Sequence, residues 1–150
     1  MLNHQRGFTL IELTVVLLIV VLSFTAIGTN ISSGNQSAQL KAIARDLASA
    51  FRYARGQALI SHQEISVAIN LAENTYKISN RDKIHAFSDE IDVTLVIAQD
   101  EFKEDEIGQL RFFADGSSSG GRVTMEWGNL LQRVDVNWLS GKVAISHEQQ

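Results

Sequence analysis

The 150-residue chain contains no cysteine and no proline. Without cysteine, a disulfide framework, thiolate catalysis and a cysteine-ligated metal site are all excluded. Without proline, helices have to end at glycine, at clusters of Asn and Ser, or through tertiary packing. Charged residues form only 20% of the chain, and the formal net charge is -4. A nucleic-acid partner is therefore not expected, although a small basic patch is still open.

Charge is scarcest near the N-terminus, where one apolar run extends from Phe8 to Ile27. The run reads FTLIELTVVLLIVVLSFTAI and contains a single ionisable group, Glu12. As a helix, its roughly 20 residues would span ~30 Å, the thickness of the hydrocarbon core of a bilayer. The leader before it carries Arg6 and no acidic residue, which favours a cytoplasmic N-terminus with the bulk of the chain outside.

Three interpretations of this run are open. A secretory signal peptide needs small residues at its cleavage site, and the segment from Ser23 to Ala26 fits that pattern poorly. A simple single-pass anchor explains the length but not the carboxylate, which costs roughly 2.5–3.5 kcal/mol near the bilayer centre. The third interpretation starts at Gly7, because the sequence from Gly7 to Glu12, GFTLIE, resembles the type III signal of type IV pilins and pseudopilins.

This resemblance implies a processing route and a role for the carboxylate. In that family a prepilin peptidase cuts after the glycine, here Gly7, and methylates the new N-terminal residue, here Phe8. The apolar helix is retained, and Glu12 then lies one turn inside it, where the helix dipole favours an anion. The resemblance further implies that Glu12 pairs with the amine of a neighbouring subunit during assembly, which fixes the register of the fibre.

Two helical patterns follow the apolar run. Residues 28–35 combine glycine, Ser, Asn and β-branched residues, all poorer helix formers, and predict a weak junction. Residues 36–60 repeat apolar side chains every three or four positions, which predicts an amphipathic helix. Its apolar stripe is expected to pack on a sheet of the same domain and consists of Leu40, Ile43, Ala44, Leu47, Phe51, Ala54 and Ala58. The basic residues of the helix are expected to be solvated, with contact to acidic partners or nucleic acid as the alternative, and they are Lys41, Arg45, Arg52 and Arg55.

After Ser61 the periodicity changes to two, which predicts strands separated by turns. The predicted strands are residues 64–70, 75–79, 91–97, 110–113, 122–127, 133–138 and 142–146. Their connections are too short for crossover helices, so mostly antiparallel pairing is expected. The predicted fold class is α+β: a long N-terminal helix packed through its distal half on a small antiparallel sheet or sandwich head of residues 61–150, a pilin-like lollipop.

The C-terminal half carries a second resemblance. The segments Phe112–Val123 and Val136–Val143 are similar to the end of H-type minor pseudopilins of type II secretion and of related minor pilins of type IV pili. Phe51–Ala58 resembles the same group, whereas residues 80–107 carry little resemblance and are expected to be variable. The first segment holds a candidate head-loop signature of Gly116, Ser118, Gly120 and Gly121. The loop is expected to depend on its glycines more than on its serine hydroxyls.

The same loop matches G-x-S-x-G, the nucleophile elbow of α/β-hydrolases. An elbow needs a helix after the serine, but here a strand is predicted, so a hairpin loop is the preferred interpretation. The four histidines lack metal-ligand spacing, and the acidic segment 100–106 lacks the ligand spacing and central glycine of an EF-hand loop. No catalytic, cofactor or metal site is therefore predicted.

The two tryptophans, Trp127 and Trp138, are expected to be core residues or hairpin anchors. An exposed tryptophan would instead be a candidate interface residue, because exposed aromatic side chains often dominate binding.

Together the two resemblances imply a minor pseudopilin, a non-enzymatic subunit of the type II secretion pseudopilus that helps to export folded proteins across the outer membrane. The implied partners are other major and minor pseudopilins, the prepilin peptidase and N-methyltransferase, and the inner-membrane assembly platform. The implied location is the bacterial inner membrane, single-pass, with a periplasmic head. A minor pilin for twitching or DNA uptake is the main alternative, and a membrane-anchored periplasmic enzyme is the second.

Overall fold

The computed structural model of the chain describes residues 10–98, 102–103 and 106–149. These residues form one long helix and nine strands. In chain order they are α1 (Leu10–Ser61), β1 (Ile65–Asn70), β2 (Thr75–Ile78), β3 (Ile84–Ala86), β4 (Asp92–Val96), β5 (Phe102–Lys103), β6 (Ile107–Phe112), β7 (Gly121–Trp127), β8 (Leu130–Val136) and β9 (Val143–Gln149). The chain divides into two compact units, one ending at Gln36 and the other comprising Ser37–Gln150.

The first unit contains the start of α1, and its residues 10–21 are exposed on every face of the helix. Leu10 is 82% exposed, and Val20, the least exposed large apolar side chain of this stretch, is still 42% exposed. A helix that is apolar all round normally needs cover from lipid or from other chains. No helix in the part of the chain that the structure describes is both long and apolar enough to cross a membrane. The predicted leader, with Gly7, and the predicted first mature residue, Phe8, lie outside the described residues.

The backbone of α1 is helical through residues 28–35, the predicted junction. A glycine in a helix interior costs only about 1 kcal/mol relative to alanine, which is too little to end a helix with good formers on either side. The weakness of this segment stays a prediction about stability, whereas the helical backbone is observed.

The second unit holds the hydrophobic core, to which α1 and both sheets contribute. The predicted apolar stripe is confirmed: Phe51, Ala54 and Ala58 are fully buried, and Ile43 is partly buried against the core. The Phe51 ring lies 6.2 Å from the ring of Phe112, measured between centroids. The helix is therefore fixed to the head by the face that its periodicity predicts.

Two antiparallel sheets form the head. The first has the strand order β3-β2-β1-β6-β5 and the second has the order β4-β7-β8-β9. All pairings between the named strands are antiparallel, as the short connections predict. Alternation places Val123 and Met125 of β7 in the core, with Arg122 and Thr124 on the outer face of the second sheet.

The strand predictions need four corrections. The predicted strand 142–146 is observed at Val143–Gln149, because β9 pairs with β8 as far as Leu130. The short strands β3 and β5 were not predicted, since each offers too few residues for an alternating pattern. The predicted strand 133–138 is observed at Leu130–Val136, because residue 137 begins a turn. The predicted strand 110–113 is observed at Ile107–Phe112, as β6 begins earlier.

Candidate functional site

Gly116, Ser118 and Gly120 of the predicted head loop lie between β6 and β7, and Gly121 is the first residue of β7. The loop lies beside the turn that joins β8 to β9. The backbone N–H of Ser118 donates to the carbonyl oxygen of Trp138 at 2.9 Å, and that of Ser119 donates to Arg111 at 2.9 Å. These bonds fasten the loop to two other segments. The head loop is consequently an organised part of the second unit.

The Ser118 hydroxyl is used inside the loop. Ser118 is only 4% exposed. Its Oγ donates to the carbonyl oxygen of Asn137 at 3.0 Å and accepts from the backbone N–H of Gly120 at 3.1 Å. The G-x-S-x-G segment connects two strands, so the strand-to-helix geometry of a nucleophile elbow is not formed. Sequence reasoning missed this structural use of the hydroxyl, because a loop serine carries no signal of its burial.

The glycines of the head loop permit neighbouring segments to approach the loop backbone closely. Gly120 has a φ of +74°, and a Cβ added there would lie 2.8 Å from the Cβ of Trp138. A Cβ on Gly121 would lie 2.6 Å from the Cγ2 of Ile97 and 3.1 Å from the carbonyl oxygen of Val96. Gly120 therefore allows the loop to pack closely on Trp138 in the β8–β9 turn, and Gly121 allows the start of β7 to pack closely on the end of β4.

Arg55 ties the helix to both turns. Its Nε donates to the carbonyl oxygen of Gly116 at 3.0 Å. A Cβ added to Gly141 would lie 2.8 Å from the same Nε and would collide with the carbonyl oxygen of Gly116. The prediction that Arg55 is simply solvated is therefore wrong. Position 55 borders the buried stripe, so the aliphatic part of the side chain packs while its guanidinium reaches a loop carbonyl.

The turn after β8 presents an exposed aromatic side chain. The Oδ1 atom of Asn137 accepts from the backbone N–H of Leu139 at 3.1 Å and from that of Ser140 at 3.0 Å. Within this turn Trp138 is 66% exposed and Leu139 is 67% exposed. The prediction of a core or hairpin anchor is wrong for Trp138, whereas Trp127 is partly buried against the core. The turn chemistry of Asn137 takes Trp138 out of the strand and away from the core.

An open groove of about 730 Å³ lies next to Trp138. Val96, Ile97 and Ala144 contribute apolar lining, and Gly120 and Gly121 leave space for it. Its polar lining includes Arg122, Asp135 and Lys142. Arg122 and Asp135 form an ion pair across β7 and β8.

Hydrogen bonding perturbs one titratable group beside the head loop. The Oδ1 of Asp115 accepts from the hydroxyl of Ser117 at 2.6 Å and from its backbone N–H at 2.9 Å. These bonds favour the ionised form and lower the pKa of the Asp115 carboxyl below its usual value. The carboxylate closes a local turn and faces solvent.

The remaining predicted residues are placed as follows. Glu12 lies in the first turn of α1 and is exposed. Among the described residues, no group of three or more His, Cys, Asp or Glu side chains could hold a metal ion. The ring of His85 stacks on Tyr76 with 4.8 Å between centroids. Most of the acidic segment, namely Asp100, Glu101, Glu104 and Asp105, lies outside the described residues.

Comparison with known proteins gives matches along nearly the whole chain. Residues 44–141 match the family of type II transport protein GspH, and residues 2–28 match the prokaryotic N-terminal methylation motif. The type II secretion system protein H of Xanthomonas campestris pv. campestris is 25% identical over 143 residues. This similarity covers 94% of this chain and 83% of that protein.

Solved structures give the same fold. The minor pseudopilin EpsH from the type 2 secretion system of Vibrio cholerae matches with a TM-score of 0.56 and 13% identity, over 71% of this chain and 95% of that one. The type IV minor pilin FimU of Pseudomonas aeruginosa matches with a TM-score of 0.56 and 13% identity, over 77% of this chain and 96% of that one. Since the GspH family match spans most of the chain and includes the head loop, the chain belongs to the family of type II transport protein GspH and is a type IV pilin-like minor pseudopilin.

Proposed function

We propose that this minor pseudopilin is anchored in the inner membrane, processed after Gly7, and built into the pseudopilus through the helix that begins at Phe8. The head then contacts neighbouring pseudopilins near the tip of the fibre. In this position it helps to move folded proteins across the outer membrane. The energy for assembly comes from a separate ATPase.

One observation carries the proposal: the methylation motif and the GspH family match occur on the same chain, in this order. The exposure of residues 10–21 supports it, because an all-round apolar helix is suited to lipid before assembly and to neighbouring helices afterwards. The position of Glu12 in the first turn also supports it, since a lone carboxylate in lipid is costly and pairing with a neighbouring amine lowers that cost.

The proposed role is structural rather than catalytic. The best nucleophile candidate, the hydroxyl of Ser118, is buried, donates to Asn137 and accepts from Gly120. A serine nucleophile needs an accessible Oγ activated by an adjacent base. The engaged hydroxyl favours a loop-forming role for Ser118.

A second candidate function is a minor pilin of a type IV pilus. The observation that favours it is the similarity to FimU, whose TM-score equals that to EpsH. At 13% identity these likenesses concern the fold alone. The GspH family match and the secretion protein of Xanthomonas campestris favour type II secretion.

Mass spectrometry tests the processing step directly. Coexpression of the full chain with a prepilin peptidase is expected to yield a protein that begins at N-methylated Phe8. Loss of Arg6, one of the 13 basic residues against 17 acidic ones, makes the formal net charge one unit more negative than -4. Intact mass and N-terminal peptide sequencing measure both changes, with an inactive peptidase as the control. A mature protein that starts near Ile27 contradicts the proposal and favours the interpretation of the apolar run as a secretory signal peptide.

A further inference from the structure

The groove beside Trp138 lies on the outer face of the second sheet, where it crosses all four strands at one end of the sheet. Val96 of β4 is opposite Arg122 of β7, which is opposite Asp135 of β8, which in turn is opposite Ala144 of β9. One row of side chains on a single face therefore forms its floor. Trp138, from the turn after β8, also lines it.

The apolar part of this surface is concentrated and preorganised. Val96 and Trp138, which both line the groove, are 60% and 66% exposed. The turn that carries Trp138 is held by the three hydrogen bonds that Asn137 Oδ1 accepts from Leu139 and Ser140. Trp138 is held again through its own carbonyl, which accepts from the N–H of Ser118. An exposed aromatic side chain on a fixed backbone loses little conformational entropy on binding and is the residue type that dominates interfaces.

The charges around the groove favour an acidic partner. Arg122 and Asp135 neutralise each other as an ion pair. Lys142 also lines the groove, is exposed, and has no salt bridge with a described residue. Among the described residues that line the groove, the positive charges of Arg122 and Lys142 exceed the one negative charge of Asp135, on a chain whose formal net charge is -4. Charge complementarity selects a partner that presents a carboxylate to Lys142.

We propose that this groove, lined by Val96, Trp138 and Lys142, docks a neighbouring pseudopilin of a different kind, through a segment with an apolar side chain next to a carboxylate. The apolar side chain lies against Trp138 and Val96, and the carboxylate pairs with Lys142. This inference rests on the proposed function, since it takes the neighbour from the same fibre.

Photo-crosslinking in cells that carry the complete secretion system tests the groove. The full chain receives a photoreactive phenylalanine in place of Ala144, which lines the groove but is separate from Trp138 and Lys142. The expected product is a crosslink to one other pseudopilin, at a peptide that contains Asp or Glu. Trp138→Ala and Lys142→Glu are each expected to lower the crosslink yield by about 10-fold or more. Ile84→Ala and Lys77→Glu, matched changes at exposed positions of the first sheet, are expected to leave it unchanged.

A charge swap completes the test. Replacement of the crosslinked partner carboxylate by Lys is expected to restore the yield with Lys142→Glu. Yields that are equal in wild type, Trp138→Ala and Lys142→Glu overturn the inference, as does a crosslink only to a second copy of this chain, to an exported protein or to lipid. Exoprotein release in the same cells separates the two claims. If deletion of the chain leaves release normal, the proposed function fails; if deletion stops release while the groove variants crosslink normally, only the docking inference fails.

Discussion

At the scale of single residues, Arg55 and the glycines around it hold the helix and the loops of the head together. The Arg55 guanidinium donates to the carbonyl oxygen of Gly116, and the absence of a side chain at Gly141 gives it room. A hydrogen bond from a charged donor to a partly buried acceptor typically stabilises a fold by about 1.5–3 kcal/mol. The head loop is therefore stabilised by an arginine that the sequence pattern predicts to be solvated, with contact to an acidic partner or nucleic acid as the alternative.

Two glycines with the same backbone conformation allow the cost of crowding to be measured separately from the cost of backbone strain. Gly141 has a φ of +60° and Gly128 a φ of +59°, but a Cβ meets Arg55 and Gly116 only at position 141. Alanine at 128 is expected to lower the free energy of unfolding by about 1–2 kcal/mol, the cost of a left-handed backbone. Alanine at 141 is expected to cost about 1–3 kcal/mol more, because Arg55 and the loop have to move.

Urea unfolding of the full chain in detergent measures this difference through tryptophan fluorescence. Gly128→Ala serves as the control for Gly141→Ala. Equal losses in the two variants would show that the packing of Arg55 against Gly141 contributes nothing to stability.

Tyr76 gives a prediction about pH. Burial raises the pKa of the Tyr76 hydroxyl above 10.0, and the negative charge of Asp46 raises it further. Since the folded-state pKa is raised, the contribution of this group to stability is fully present below pH 10.0 and is lost as the pH rises through the folded-state pKa. Folding therefore becomes less favourable in alkaline solution above pH 10.0.

Absorbance near 295 nm measures this titration in a Tyr53→Phe background, where Tyr76 is the one tyrosine left of two. The midpoint is expected above 10.0. Asp46→Asn is expected to lower it but to leave it above 10.0, since burial is the larger cause. A midpoint at 10.0, or one that does not respond to Asp46→Asn, contradicts this account of Tyr76.

At the scale of secondary-structure elements, periodicity predicted the helix and most strands, but not the turns. The three- and four-residue spacing from Leu40 to Ala58 identified the buried face of α1, because one face of a helix packs against one core. The end of β8 was predicted two residues too late, because apolar and polar residues continue to alternate over Val136, Asn137 and Trp138. The Asn137 side chain instead accepts hydrogen bonds from Leu139 and Ser140 and ends the strand.

The candidate site was predicted in part. The glycines of the head loop were visible in the sequence, since glycine marks turns and close approaches. The groove was not visible, because it depends on a row of side chains from four strands whose pairing no local pattern specifies. The exposure of Trp138 was likewise hidden, as an exposed tryptophan and a buried one have the same local spacing.

The start of α1 gives a prediction about assembly. Replacement of Glu12 by Leu is expected to leave membrane insertion intact or improved, because a carboxylate in lipid costs roughly 2.5–3.5 kcal/mol. Incorporation into the pseudopilus is expected to fall by about 10-fold or more, which corresponds to the loss of ~1.4 kcal/mol of pairing energy. Glu12→Gln is the matched variant, since it keeps size and polarity but removes the charge.

Membrane fractionation measures insertion, and quantitative blotting of isolated fibres measures incorporation at native expression levels. Both variants are expected to insert and neither to assemble normally. If Glu12→Gln assembles as wild type while Glu12→Leu does not, the polarity of the side chain at position 12, rather than its charge, sets the register of the subunits in the fibre. Normal assembly of both variants would refute a role for Glu12.

At the scale of the whole molecule, two units with different surfaces occur in one chain. The described side chains of the first unit are mainly exposed apolar residues, whereas the second unit has its own core and two sheets. A chain without cysteine has to obtain this stability from packing, and Leu47, Phe51 and Phe112 are all fully buried. Such a division of surfaces suits a subunit that assembles through one unit and is recognised by its neighbours through the other.

The most direct test of this account is exoprotein release from cells in which the gene for this chain is deleted. Secreted enzymes are expected to accumulate in the periplasm, and the full chain is expected to restore their release when supplied on a plasmid. Twitching motility, measured in the same strain, is expected to be unchanged. Normal exoprotein release together with a loss of twitching or of DNA uptake would contradict a role in type II secretion and assign the chain to a type IV pilus.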